Sequence, residues 1–140
     1  MPPLGAAASG AGDPDPHYSL RMKVLLASHN LAAKARVADA AARAGWTMVT
    51  APVGDLRGAM AEHAPDLVVV DLDEAGEPAL GALGPAPRAR TIGFFSHVDT
   101  ALGDVARAAG VDAVPRGRFW RTLPQLLEGQ RQDHSERKGD

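Results

Sequence analysis

The chain has 140 residues with 45% hydrophobic content, enough for one ordinary globular core and too little for two. Its 15 Lys and Arg against 17 Asp and Glu leave a formal charge of -2, so there is no basic excess to neutralise a phosphate backbone, which argues against a nucleic-acid partner. Cysteine is absent, which excludes disulfides, thiolate metal sites and a cysteine nucleophile and fits a reducing, cytoplasmic setting, and no apolar run approaches the ~20 residues of a membrane helix.

The opening segment, residues 1–21, is rich in Gly, Ala and Pro and reads as a disordered leader; Met22, just before the first strand, is an alternative start. "KVLLAS" reads as the first strand, and Asn30 can cap a helix that Gly45 stops, with Leu31, Ala35, Ala38, Ala41 and Ala42 on one stripe. "WTMVTA" suggests an edge strand, followed by a helix capped by Asp55 with Leu56, Ala59, Met60 and His63 at helical spacing. The third strand, "DLVVVD", is apolar at every position from Leu67 to Val70, as a strand buried on both faces is.

Beyond it, Gly and Pro residues leave room only for a short helix near Pro78 to Leu83. "RTIGFFS" is the fourth strand, and Asp99 caps a helix ending at Gly110. "VDAVP" is the fifth strand, placed at an edge because Pro115 cannot donate to a central ladder. Thr122 and Gln125 have capping-box spacing around Pro124, so the last helix is expected to start near Leu123, before a solvated tail at 130–140.

Alternating strands and helices predict one α/β domain, residues 22–129, with a doubly wound, flavodoxin-like parallel sheet of order 2-1-3-4-5. The ligand crevice of such a sheet opens at the carboxyl ends of its first and third strands. The residues delivered there are Ser28 and His29 from the first strand and Asp71 from the third. "DLDEAGE" lacks the spaced ligands and closing glutamate of a calcium loop. His63, in the last turn of its helix, suits a structural role.

From Met22 to Leu127, "VVVD", "GFFS" and "AAGVDAVPRGRF" together resemble the receiver domain of bacterial two-component response regulators. The resemblance implies that Asp71 stands at the phosphoacceptor position, that Ser96 holds the hydroxyl position sensing a phosphoryl group, and that Arg116 replaces the family's lysine. It also exposes a departure. Receivers carry two adjacent acidic residues after the first strand, and here Ser28 and His29 occupy those positions, with Asp73 as a nearby carboxylate. Magnesium needs hard oxygen ligands and offsets the charge of a transferring phosphoryl group, so no metal or other cofactor is expected and phosphorylation at Asp71 should be weak or lost. An imidazolium at His29 beside Asp71, together with Arg116, would supply the positive charge instead; in the competing reading His29 points to solvent from the start of the helix.

The expected function is that of a stand-alone, degenerate, non-enzymatic signalling module acting through protein contacts. The resemblance implies a contact face from Asp99 to Gly129; Phe119, Trp120 and Leu123 are candidate exposed anchors on it, since aromatic residues are enriched at binding hot spots, with core packing as the alternative for Phe119 and Leu123. Its partners would be a signalling protein such as a histidine kinase or an output protein, or a second copy of the chain, with neither nucleic acid nor membrane involved. Three alternatives compete with this reading. One is a phosphorylatable single-domain response regulator. Another is a small-ligand or flavin binder, disfavoured because "SHNLAAKAR" has no glycine and few hydroxyls. The third is an enzyme using Asp71 and His29 as acid and base, for which no other residue specifies a substrate.

Overall fold

The computed structural model describes residues 22–74, 89–96 and 100–139, with the side chains of 100 and 131–139 aside. Five short strands form its centre: β1 (Lys23–Ala27), β2 (Thr47–Ala51), β3 (Leu67–Asp71), β4 (Arg90–Phe95) and β5 (Asp112–Pro115). They make one parallel sheet in the order β2-β1-β3-β4-β5, as the alternation predicts. Register places Ala27 beside Val70 and Asp71 beside Phe94, so the carboxyl ends of β1, β3 and β4 lie close together.

Both faces of the sheet are covered. Val24, Leu26, Leu67, Val69 and Phe94 point to one side, where they meet Val37, Trp46 and Phe119. Leu25, Val68, Val70 and Phe95 point to the other, against Leu56, Ala106 and Val111. This is why β3 is apolar at successive positions: each parity of its side chains has a core to enter.

Helix α1 (Leu31–Ala44) is capped at its start by Asn30, whose side chain accepts the Ala33 N–H, and closed by Gly45 in the left-handed region at φ 79°. Its buried stripe is Ala33, Val37, Ala40, Ala41 and Ala44; of the predicted stripe only Ala41 is buried, and Leu31, Ala35, Ala38 and Ala42 are exposed. Among so many alanines the larger Val37 sets which face turns inward, and Leu31 is left 78% exposed. After β2, a short 3-10 turn (Val53–Asp55) leads into α2 (Leu56–His63); Asp55 precedes the helix without a side-chain capping bond.

Helix α3 (Thr100–Ala108) precedes β5 and is followed by Gly110 at φ 86°. Asp99 as its cap, and the short helix near Pro78–Leu83, lie outside the described residues.

The largest correction concerns α4 (Arg116–Gly139), which begins directly after Pro115 rather than near Leu123 and continues through residues read as a tail. Thr122 does not cap it; its hydroxyl donates back to the Arg118 carbonyl at 2.9 Å. Packing explains the earlier start. Phe119 stacks on Phe94 with ring centroids 5.2 Å apart and Trp120 lies at the same distance from Phe94, so residues before Pro124 earn helical structure by docking on the sheet. Farther along, the Trp46 indole N–H donates to the Leu127 carbonyl at 3.2 Å and fastens α4 beside the sheet.

No described helix is long and apolar enough to cross a membrane.

Candidate functional site

The end of β1 delivers Ser28 into the crevice, where it is 1% exposed. Its hydroxyl donates to Asp71 Oδ2 at 3.0 Å and accepts the Asn30 N–H at 3.0 Å, tying the start of α1 to the end of β3. Asp71 is itself 3% exposed, and a carboxylate so withdrawn from water requires donors. It has three: the Ser28 hydroxyl, the Glu74 N–H at 3.3 Å, and the Arg116 guanidinium, whose Nη2 lies 3.5 Å from Oδ1.

Arg116 enters from the first position of α4 and stands over the Phe94 ring, 4.8 Å from its centroid. Its shorter contact is with Asp73, at 3.0 Å. The Asp73 carboxylate also accepts the Ser96 N–H with both oxygens, each at 3.1 Å. Asp73 thereby links the ends of β3 and β4 to the start of α4. The described contact of Ser96 is this backbone donor.

His29 departs from the expected arrangement. Its ring Nδ1 lies 2.5 Å from Glu74 Oε2 and its N–H donates to Glu74 Oε1 at 2.8 Å, while the side chain is 67% exposed. It therefore partners Glu74 at the rim and does not pair with Asp71. The local geometry explains this, because a residue whose ring and backbone N–H are both held by one outer carboxylate cannot also turn its ring into the crevice. Partial burial works to raise the Glu74 pKa, but the bonds from the His29 backbone and ring and from Ser28 outweigh it and hold the carboxyl below its usual range.

Glu74 and Gly93 are the residues that the sequence reading missed. A Cβ at Gly93 would stand 2.5 Å from Leu72 Cδ1. The missing side chain lets fully buried Leu72, between Asp71 and Asp73 in the chain, lie across β4. A glycine inside an apolar strand was the available signal for this close approach. For Glu74 the signal was weaker: its place three residues after Asp71, in the turn following a buried strand.

The donor set does not fit magnesium. The first strand contributes a hydroxyl and an imidazole where carboxylates would be needed, and Asp71, Asp73 and Glu74 are each engaged by protein donors. Among the described residues no group of three or more His, Asp or Glu is placed to hold a metal.

The three proposed anchors separate. Phe119 and Leu123 are 1% and 2% exposed, so they are core residues rather than surface anchors, drawn in against Phe94 and the sheet. Trp120 is half-buried, with the Arg36 guanidinium 5.3 Å from its ring centroid.

The same architecture occurs in solved response regulators. One from Thermotoga maritima superposes with a TM-score of 0.65 at 19% identity, over 80% of this chain and 98% of that one. A response regulator from Hahella chejuensis gives 0.62 at 16% identity, over 78% and 94% of the two chains. The phosphorylated cyanobacterial phytochrome response regulator RcpA gives 0.59 at 18% identity, over 78% and 90%. No protein-family model and no curated protein sequence matches the chain. The fold is that of a response-regulator receiver domain.

Proposed function

We propose that this receiver-fold chain is a degenerate, non-enzymatic signalling module that works by contacting other proteins and whose phosphorylation at Asp71 is weak or lost. The carrying observation is the occupancy of the Asp71 carboxylate. A buried hydroxyl, a backbone N–H and a guanidinium already serve it, in a crevice whose first strand ends in Ser28 and His29. Phosphoryl transfer depends on positive charge that offsets what develops on the moving group. Arg116 is the permanent cation in contact with Asp71, and it is shared with Asp73.

The proposed partner is a kinase or output protein of a signalling system, with a second copy of the chain as the other candidate. The contact face carried over from the fold lies on α3, β5 and the first turns of α4. A cavity there is lined by Arg90, Arg107, Asp112, Thr122 and Leu126 among others. The proposed setting is the cytoplasm.

Incubation with acetyl phosphate and magnesium, read by intact-protein mass spectrometry, tests the reading. Wild type should label weakly or not at all, and Ser28→Asp with His29→Asp should increase labelling at Asp71. Ready labelling of wild type that Asp71→Asn abolishes would instead identify a working phosphorylatable regulator.

A further inference from the structure

Any group added to an oxygen of Asp71 would bring an anion to the mouth of the crevice, and that anion would need donors. Two donors stand there: the Ser96 N–H and Arg116 Nη2, the nitrogen that also lies 3.5 Å from Asp71 Oδ1. Both are held by one side chain. Asp73 Oδ2 receives Arg116 Nη2 at 3.0 Å, and the same carboxylate receives the Ser96 N–H at 3.1 Å.

A guanidinium and a backbone N–H converging on one group of oxygens form the donor arrangement that recognises phosphate and sulfate. Here a carboxylate fills it from within. Its position is fixed on both sides: Leu72 is fully buried beneath the space left by Gly93, and Glu74 is held by His29. The Asp73 and Arg116 side chains are 33% and 35% exposed, so the site is open to solvent ions.

We infer that Asp73 is a built-in anion, its carboxylate filling a latent oxyanion site made by the Ser96 N–H and the Arg116 guanidinium and excluding phosphate-class anions from the mouth of Asp71. The inference deepens the degenerate-receiver reading by naming the residue that blocks the site. It also gives a reason for the three-way link between β3, β4 and α4: donors that an external anion would organise are organised permanently. Asp73 is a positioning residue in this scheme.

The test uses the full chain and inorganic phosphate, with chloride at matched ionic strength as the reference. In wild type, the amide resonance of Ser96 and the side-chain N–H resonance of Arg116 should not respond to phosphate. In Asp73→Ala both should shift saturably, and adding Arg116→Gln to that variant should abolish the response. The inference is overturned if folded Asp73→Ala ignores phosphate, if wild type responds equally, or if chloride produces the same shifts. Should Asp73→Ala lose its dispersed spectrum, the shorter Asp73→Ser takes its place, with the same supporting and overturning results. The readout involves no phosphotransfer and no partner protein. Labelling of wild type by acetyl phosphate would therefore refute the degenerate reading separately from this result.

Discussion

Glu74 sits at the rim, yet it organises the loop after β1 by accepting both the ring and the backbone N–H of His29. Its folded-state pKa is depressed, despite an opposing contribution from burial. The stability it supplies is therefore complete above the unfolded value near 4.5 and is lost as pH falls through the lower folded value. Glu74→Gln should cost up to about 1 kcal/mol at neutral pH, because the pair is partly exposed, and the gap from wild type should narrow at acid pH. Urea unfolding of both proteins at neutral pH and near pH 3 measures this. A gap that widened on acidification would contradict the assigned direction. At this scale the sequence was only half legible. Asp71, Ser28 and Arg116 follow from where strands end, whereas the His29 partner depends on the path of a turn, which no local pattern encodes.

That path is set by the packing of one element on another. Leu72 crosses β4 at the position where Gly93 has no side chain, and it stands between Asp71 and Asp73 in the chain. Gly93→Ala should therefore cost about 1–3 kcal/mol through overpacking and should also displace the Ser96 amide resonance by moving Asp73. A stability loss without that displacement would show that Leu72 yields without turning the acidic pair. The strands were readable because their apolar runs are short and bounded by turn residues. The face of α1 was not, because a helix with alanine on several sides has little contrast except at Val37, and Leu31 misleads. The start of α4 was hidden for another reason: Thr122 and Pro124 imitate a helix beginning, while the contacts of Phe119 and Trp120 that override them are tertiary.

For the whole molecule, α4 is the element that joins the crevice to the core. Arg116 at its beginning enters the crevice, Phe119 and Leu123 fill the core, and Leu127 is fully buried beside Trp46. Leu127→Ala should cost about 2–5 kcal/mol, as cavity-forming substitutions at such positions do, and a thermal or urea midpoint close to wild type would show that this half of the helix is not part of the cooperative core. The order of the sheet, by contrast, was legible from the alternation alone, since short right-handed crossovers leave few ways to arrange five parallel strands.

The chain contains two tryptophans, one lying in the first turns of this same helix and the other bonded to its later part. Trp46 is buried and donates to the carbonyl of Leu127, while Trp120 is half-buried beside Arg36, one helical turn from Arg116. The protein thus carries its own optical reporters. Peeling away the distal part of α4 would bring Trp46 into water and redden its emission, whereas a rearrangement confined to the crevice end would alter Trp120 and leave Trp46 in the blue. Fluorescence of the two single-tryptophan variants, Trp46→Phe and Trp120→Phe, would follow the ends of one helix separately, without an added label.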